Sequence, residues 1–309
     1  MSFWKTMLSR DRVALAAAIT LGLIAVFALI WPFVSPYGPR EIHADAALSG
    51  PSARFWLGTD DTGRDMVTLL AHGARISLGI AVAAEILAVL SGVPLAMIAG
   101  LLGGFVDSVI MRITDALLGF PGILIGLMVV ALFGASLTTL MIAIALMTVP
   151  YLIRVVRNAV VVEKERLYVV SSTALGVRTG TLLRRTILPN IVSPMIVQVS
   201  FGLAVAILTE ASLGFLGLSV QPPNASWGTL IQVGYSYIRI TPWLVTFPGV
   251  LIFVSVWAFN TLGDAGRDVL DPRLRDTFEQ GTHQPCRVMP RSLCEYGQTT
   301  PAAISCNDW

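Results

Sequence analysis

The feature that most constrains this chain is a set of apolar stretches, each long enough to cross a lipid bilayer as a helix. A membrane span needs about 20 predominantly apolar residues. The sequence offers six such stretches, near residues 13–35, 77–99, 112–133, 137–157, 191–218 and 243–262. Because 55% of the 309 residues are hydrophobic and only 13% are charged, the chain is too apolar for a soluble globule. The sequence therefore predicts an all-α, polytopic membrane protein with six transmembrane helices.

Positive charge is distributed unevenly between the segments that connect these stretches. Residues 1–12 carry three lysines and arginines, and residues 154–190 carry seven against two glutamates. Loops that stay in the cytoplasm are enriched in lysine and arginine. We therefore expect the N-terminus, the loop at 158–190 and the C-terminus to be cytoplasmic, with residues 36–76 and 219–242 on the outer side of a bacterial-type plasma membrane.

Residues 163–190, called the polar loop below, form the one long polar and positively biased stretch inside this apolar chain. The pattern predicts a first short helix at about 163–175, which ends at Gly176 because glycine readily adopts the left-handed conformation that closes helices. A second helix is expected at about 179–187, with its first residue as the N-cap. Pro189 is expected to prevent that helix from running into the next span, so that the chain turns there.

One face of the first short helix carries mainly small or polar side chains. Tyr168, Ser171, Ser172 and Leu175 recur at the spacing i, i+3, i+4, i+7, which places them together. Two interpretations stay open: the face docks into a groove of a partner protein, or the two helices lie on the membrane surface as an amphipathic pair. Small side chains allow a close approach of backbones and favour docking.

The polar loop resembles the EAA loop of ABC-importer permeases, in which a Glu-Ala-Ala-type helix, a glycine and a downstream Leu-Pro-Asn engage a cytoplasmic ATPase. Over roughly residues 10–275, the chain also resembles the dipeptide/oligopeptide/nickel permease family. The segments that carry this resemblance are LGTDDTGRD at 57–65, GARISL at 73–78, MRITDALLGFPG at 111–122, EASLGFLGLSVQPPNASWG at 210–228, PWLVTFPG at 242–249 and LGDAGRDVLDPRLR at 262–275. The resemblance implies the architecture of a type I ABC-importer permease.

The same resemblance implies which residues of the polar loop contact the ATPase. They are Glu165, Tyr168, Ser171, Ser172, Leu175, Gly176, Arg184, Leu188, Pro189 and Asn190. The loop departs from the family pattern at several positions: Ser171 and Ser172 replace Ala-Ala, Arg178 and Thr179 replace a Ser-Asp pair, and Thr186 replaces a histidine. Serine is small enough for docking, but the departures bear on how strongly the loop couples to the ATPase.

The sequence contains no ATP-binding motif that could drive transport. A phosphate-binding Walker A loop requires a Gly-Lys pair, and no such pair occurs in the sequence. The resemblance therefore implies a translocation subunit, not itself an enzyme, that forms the path for di- or oligopeptides, nickel or related small solutes. The expected partners are a second permease in a heterodimer, two cytoplasmic ATP-binding subunits, an extracytoplasmic binding protein and membrane lipid. The alternative is a secondary transporter without an ATPase.

Two carboxylates lie inside predicted spans, where charged groups are costly and usually serve a function. Glu85 and Glu210 are candidates for the translocation path, where either would attract an ammonium group or a metal cation. The alternative for both is a structural carboxylate that is hydrogen-bonded between helices. Asp107, Arg112 and Asp115, near the start of the third span, are expected to pair with one another or with Arg157 and not to contact substrate.

The predicted outer segment, 36–76, contains a Gly-Thr-Asp followed by a Gly-Arg-Asp. This pattern predicts a turn that is stabilised by charge-assisted hydrogen bonds. The segment is expected either to contact the binding protein or the channel mouth, or to act as a scaffold that closes over the helices. The candidate residues are Gly58, Thr59, Asp60, Gly63, Arg64 and Asp65.

The remaining features predict little specific chemistry. The net charge of +2 gives no reason to expect a nucleic-acid partner, and scattered histidines make a fixed metal site or cofactor improbable. The three cysteines lie at 286, 294 and 306, without metal or redox spacing. The predicted division is a cytoplasmic N-terminus (1–12), a first span (13–35), an outer segment (36–76), a five-helix core (77–275) and a disordered tail (276–309).

Overall fold

The computed structural model of this chain describes residues 12–220 and 223–270. The predictions for the residues before Arg12 and for the tail at 276–309 lie outside the described residues. The α-helices of the described part are α1 (Arg12–Val34), α2 (Met66–Leu102), α3 (Gly104–Leu118), α4 (Gly122–Phe133), α5 (Leu137–Lys164), α6 (Leu167–Ala174), α7 (Thr179–Leu182), α8 (Leu188–Phe215), α9 (Trp227–Ser236) and α10 (Trp243–Leu270). A short 3₁₀ turn (Ala44–Ala46) and a π-helical turn (Leu183–Ile187) complete the helical segments.

The long helices confirm the prediction of an all-α membrane protein. Five of them are long and apolar enough to cross a membrane, and the bent pair formed by α3 and α4 makes a sixth span if it counts as one. Within residues 12–220 and 223–270, the only β-structure is one isolated bridge between Thr59 and Asp65. A helix satisfies all its backbone hydrogen bonds internally, which is the condition for crossing lipid.

The third span differs from the prediction of one continuous helix near 112–133. The chain bends by 89° between α3 and α4. Gly119 and Phe120 close α3 by donating to carbonyls of its last turn, and Pro121 then stands extended before α4. Proline has no N–H to donate and disfavours helical backbone at the residue before it. The proline therefore divides the span into two helices instead of being absorbed into one.

Helix α2 lies at the centre of the fold and packs against α1, α5 and α8. Its closest approach to α5 is at Gly100, where an added Cβ would lie 2.7 Å from Cγ1 of Val160. A second close approach occurs at Gly92, opposite Leu152 of α5. Glycines allow membrane helices to pack backbone against side chain without a gap. The α2–α5 contact thus depends on two glycines of α2.

Ion pairs connect α3 to α5. Arg157 donates through Nε to Oδ1 of Asp107 at 3.0 Å, and a second contact joins its Nη2 to Oδ2. Arg154 pairs with Asp115 two helical turns further along α3. The pairing of Asp107 with Arg157 was expected from the sequence and is confirmed. These bonds hold the first half of the bent span against α5.

The end of the fold opposite the polar loop contains a helix that was not predicted. Residues 219–242 were expected to form a short loop, but α9 runs from Trp227 to Ser236 within them. Ser226 caps this helix in a reciprocal capping box with Thr229. Trp227 is fully buried, and its indole Nε1 donates to the carbonyl of Leu70 in α2 at 3.2 Å. This anchored helix folds the segment back onto the bundle.

Candidate functional site

The first helix of the polar loop is shorter than predicted, and it ends where the sequence indicated. Residues 163 and 164 belong to α5, so α6 starts only at Leu167. Gly176 has a φ of +77°. Its N–H donates to the backbone carbonyl of Thr173 at 3.0 Å, and the N–H of Val177 donates to the backbone carbonyl of Ser172 at 3.2 Å. This pair of bonds is the Schellman arrangement, and it confirms Gly176 as the left-handed residue that closes α6.

The prediction of a turn at Pro189 is wrong. The backbone runs as one continuous helix from Thr179 to Phe215, through α7, the π-helical turn and α8. Within the π turn, the N–H of Leu188 donates five residues back to Leu183. This wider turn accommodates Pro189, which lacks an N–H and would otherwise crowd the preceding turn. The helix also starts one position earlier than expected, because its N-cap is Arg178 and not Thr179.

Asn190 fastens the start of α8 to α6. Its Nδ2 donates to the carbonyl of Thr186 at 2.7 Å and to the hydroxyl of Tyr168 at 3.0 Å. The first bond satisfies a carbonyl within the disturbed helical turn, and the second crosses to the neighbouring helix. The Leu-Pro-Asn of this chain therefore belongs to the same rigid unit as α6.

Apolar side chains hold the polar loop against the bundle. Val169, Leu182 and Ile187 are buried, and they share one cluster with Leu152 and Val156 of α5. The sequence analysis assigned no role to Val169. Because burial of such side chains contributes roughly 1.5–3 kcal/mol each, this cluster fixes the loop on α5 and α8.

The junction between α5 and the polar loop is fixed by polar contacts as well. Glu163 is buried and pairs with Arg166 at 3.4 Å. Lys164 donates through Nζ to the carbonyl of Leu101, at the end of α2, at 2.6 Å. The loop is therefore tied to the ends of the central helices α2 and α5.

The exposed side of α6 is more apolar than the sequence pattern indicated. Leu167 is 85% exposed and Leu175 is 84% exposed, and Val170 lies exposed between them. The hydroxyls of Ser171 and Ser172 donate back to the carbonyls of Leu167 and Tyr168, at 2.8 and 2.7 Å. The serines thus turn their donors inward and add little polarity to this face. Leu167 and Val170 were missed, although their i, i+3 spacing places them next to each other on one face of a helix.

The other predicted coupling residues lie around this face. Glu165 is the exposed C-cap of α5, and Arg184 is exposed on the π-helical turn. Leu188 is half-buried and Pro189 is exposed. The structure therefore brings the predicted residues to one end of the molecule, with Ser172 turned partly away from the exposed side.

Glu85 and Glu210 both lie inside the helix packing. Glu85 is 3% exposed, and its carboxylate faces Gly202 of α8, where an added Cβ would lie 2.5 Å from either oxygen. Its Oε2 has no hydrogen-bond partner among the described residues. A glycine at 202 is what leaves room for the carboxylate between α2 and α8.

Glu210 is completely buried and belongs to a cluster of hydroxyl groups. Ser219 donates to its Oε1 at 3.0 Å, and the hydroxyls of Ser77 and Ser226 surround the same carboxyl. Ser77 also accepts the backbone N–H of Trp227 at 3.1 Å. The cluster joins α2, α8 and the start of α9. This location favours the structural alternative for Glu210, and its path role stays a prediction.

The Gly-Thr-Asp and Gly-Arg-Asp segment forms the predicted turn. Asp60 is 2% exposed and accepts from the N–H groups of Thr62 and Arg64, at 2.9 and 2.8 Å. The guanidinium of Arg64 pairs with its Oδ2 through Nε and Nη2, both at 2.7 Å. Burial, followed by the nearby Asp60 charge, raises the pKa of the Asp61 carboxyl above its ordinary value. Asp60 is therefore the carboxylate that organises the turn.

The other candidate residues of this segment also take part in the turn. Gly58 and Gly63 have φ of +80° and +85°, and a Cβ at either would collide with the backbone of Ser49 or His43. Thr59 bonds the carbonyl of Ala46 through its hydroxyl. Asp65 caps α2 by accepting from the N–H of Thr68 at 2.9 Å. The predicted stabilised turn is confirmed, and each of the six candidate residues of this segment contributes to it through its side chain or its backbone.

No metal centre is found within residues 12–220 and 223–270, which hold no group of three or more His, Cys, Asp or Glu positioned as ligands. What the geometry offers is a bundle of spanning helices, a rigid loop with an exposed apolar face at one end, and a firmly closed turn at the other. These features define a multi-span membrane protein with an exposed apolar face on its polar loop.

Comparison with known proteins identifies the family. Residues 92–276 match the family of binding-protein-dependent transport system inner membrane components, and residues 2–51 match the N-terminal transmembrane domain of oligopeptide transport permease C. The chain is 40% identical to the di/tripeptide transport system permease DppC of Pseudomonas aeruginosa, over 89% of this chain and 92% of that protein. It is 38% identical to the glutathione transport system permease GsiD of Pectobacterium atrosepticum, over 88% and 91%.

A solved structure shares the fold. The inward-facing MetNI methionine ABC transporter contains a chain that superposes with a TM-score of 0.56 at 18% identity, over 67% of this chain and 98% of that chain.

The class defined by fold and site is thus an ABC-importer permease. The chain belongs to the family of inner-membrane components of binding-protein-dependent transport systems. It is a multi-pass inner-membrane translocation subunit that works with an ATPase and a binding protein, and the alternative of a secondary transporter is set aside.

The turn at Asp60 generates a stability prediction. Asp60→Asn removes the charge that pairs with the largely buried Arg64, and we expect a loss of about 3 kcal/mol. Asp45→Asn is the matched control, because Asp45 pairs with Arg54 at 3.5 Å in the same segment but both side chains are exposed, so its loss should stay below about 1 kcal/mol. Thermal unfolding of the purified protein in detergent measures both. Equal losses in the two variants would contradict the structural role of Asp60.

Proposed function

We propose that this chain forms half of the path by which di- or oligopeptides, or glutathione, enter the cell. The single observation that carries the substrate class is the set of relatives at 36–40% identity, which are named as di/tripeptide, dipeptide and glutathione permeases. Each of these solutes contains an amide bond between amino-acid units. Nickel or related small solutes, which the sequence resemblance also implied, are supported by none of these names.

A binding screen tests the substrate class. The binding protein that works with this permease is mixed with dipeptides, oligopeptides, glutathione and nickel chelates, and calorimetry measures each affinity. Uptake by the complete complex in proteoliposomes is then measured for the solutes that bind. Tight binding of a nickel chelate with no binding of any peptide or of glutathione would contradict the proposal.

The polar loop is proposed as the docking surface for the ATPase. Its support is the combination of an exposed apolar face on α6 with rigid attachment on the other side. Leu167 and Leu175 project from the loop, whereas Val169 is buried against α5. A surface that receives a push must be firmly connected to the spans that it moves, and the bond from Asn190 to Tyr168 supplies such a connection to α8.

The orientation and pairing follow from the same proposal. The cations of the polar loop support a cytoplasmic location for this loop and for both termini, where ATP is available. The turn at Asp60 and helix α9 then lie on the outer side, near the binding protein. A second, different permease is proposed to complete the path with this chain, and native mass spectrometry of the purified complex would measure the subunit composition. Two copies of this chain without another permease would contradict the heterodimer.

Gly176 provides a matched test of the docking role. Gly176→Ala forces an alanine to a φ of +77° and should cost roughly 1 kcal/mol at the end of α6. Nothing lies within 4 Å of the added methyl group, so that only the backbone is disturbed. We expect uptake and ATP hydrolysis to become uncoupled in the reconstituted complex, because α6 no longer ends in a fixed position.

The control for this experiment is Gly180→Ala in the same loop. Gly180 also has open space around an added methyl group, but it lies in the first turn of a helix, where alanine is favoured by up to about 1 kcal/mol. Coupling should therefore be kept or improved. Normal coupling in the Gly176 variant would contradict the assigned role of the loop.

The two buried carboxylates receive a separate test. Glu210→Gln keeps the size of the side chain and an oxygen that can accept from Ser219, and Glu85→Gln keeps the shape that fits against Gly202. Because both carboxylates lie within helix packing, we expect peptide uptake per folded complex to stay at the level of the unchanged protein. A loss of uptake with a normal melting temperature would instead assign that glutamate to the path.

A further inference from the structure

A polar groove lies between α8 and α10, away from both buried glutamates. Its volume is about 350 Å³, and its lining residues are Val197, Gln198, Phe201, Asn260, Gly263 and Asp264. No path role was predicted for these residues from the sequence, although Gly263 and Asp264 belong to the segment at 262–275 that resembles the permease family.

The groove exists because the two helices cross at very short range. A Cβ added at Gly263 would lie 2.7 Å from Cβ of Ser200, and one added at Gly266 would lie 3.1 Å from Cγ2 of Ile196. Contact at the glycines fixes the helix axes close together. The longer side chains beside the contact then stand on either side of a gap.

Three side chains of this groove bring unused hydrogen-bonding groups into a membrane span. For Gln198, Asn260 and Asp264, the structure shows no side-chain hydrogen bond or ion pair with any other described residue. Asp264 is exposed. Polar and charged groups within a span are costly against lipid and usually face water or a ligand. The opposite condition holds elsewhere on α10, where the exposed residues Val250 and Phe253 are apolar.

The groove lies in the half of the spans nearer the polar loop. Gln198 is about 15 Å along the axis from Leu188, where α8 starts, and Asp264 is about 9 Å from the last residue of α10. Helix α8 continues from the polar loop without a break. A movement of the loop would therefore reach Gln198 through one rigid helix.

We propose that this groove lines the loop-proximal half of the translocation path and selects for solutes that carry an ammonium group and amides. Asp264 receives the ammonium group, and the carboxamides of Gln198 and Asn260, which both donate and accept, pair with the amide groups of the solute. The second permease closes the open side of the groove. The substrate class in this inference rests on the proposed function, whereas the groove itself does not.

Cysteine accessibility tests the groove independently of transport. Cys286, Cys294 and Cys306 are replaced by serine, and single cysteines are placed at Gln198 or Asn260, with Ile19 and Leu23 as controls on the exposed apolar surface of α1. The complete complex in proteoliposomes is treated with a charged methanethiosulfonate reagent, which reacts with the thiolate and therefore needs water. We expect the groove cysteines to react at least about tenfold faster than the controls. Equal rates at all four positions would overturn the proposal.

The selectivity is tested with Asp264→Asn and with Asp268→Asn, a matched change on the same helix outside the lining of the groove. Uptake is measured for a dipeptide with a free amino group and for its N-acetylated form, together with ATP hydrolysis. Loss of a charge-assisted bond should lower uptake of the free dipeptide by about tenfold or more in the Asp264 variant, with little change for the acetylated one and none in the Asp268 variant. Equal loss for both peptides would overturn the role of Asp264.

The two proposals fail in different ways. If the unchanged complex transports no peptide or glutathione, the substrate class of the proposed function is wrong, while fast reaction at Gln198 and Asn260 still supports the groove as part of the path. If peptides are transported but the groove cysteines react no faster than those at Ile19 and Leu23, the proposed function stands and the groove is not the path.

Discussion

The close approach of α2 to its neighbours is the contact on which the rest of the fold depends. Lipid is as apolar as leucine, so that spanning helices gain little from apolar burial alone and associate through close packing. Gly100 meets Val160 of α5, and Gly202 of α8 makes room for Glu85 of α2. These contacts hold α5 and α8 against α2, and α5 and α8 also pack against each other. The polar loop connects these same two helices, so its position is set by theirs.

This arrangement explains how a loop at one end can act on the spans. α6 is fixed to α5 through Val169 and to α8 through the bond between Tyr168 and Asn190. The π-helical turn carries the backbone past Pro189 without a break. A hinge at Pro189 would have absorbed a push from a partner, whereas a continuous helix passes it to α8. At the opposite end, Ser219 donates to Glu210 and Arg64 pairs with Asp60, which connects the outer segments to the helix ends.

Local chemistry explains which predictions from the sequence hold. Gly176 could be assigned because a helix end with a left-handed residue needs only its own turn, and Asp60 because its partners lie within four residues. The backbone at Pro189 and in the third span could not be predicted in this way. A proline either breaks a helix or is accommodated by a wider turn, and packing against neighbouring helices decides which. The buried positions of Glu85 and Glu210 depend on Gly202 and Ser77, respectively, which are distant from them in sequence.

The sequence by itself determined that this chain spans a membrane in about six segments, that a polar, cationic loop interrupts them, and that its motifs resemble those of an importer permease. Hydropathy and charge fix these properties, because each residue contributes to them whatever its neighbours are. Only the tertiary structure decided which polar groups are buried and which face a groove. Glu85 was predicted as a path residue and is buried. Asn260 and Asp264 were not predicted, and both line the groove. Exposure within a membrane is a property of helix packing, and the glycine contacts that set it join residues far apart in the chain.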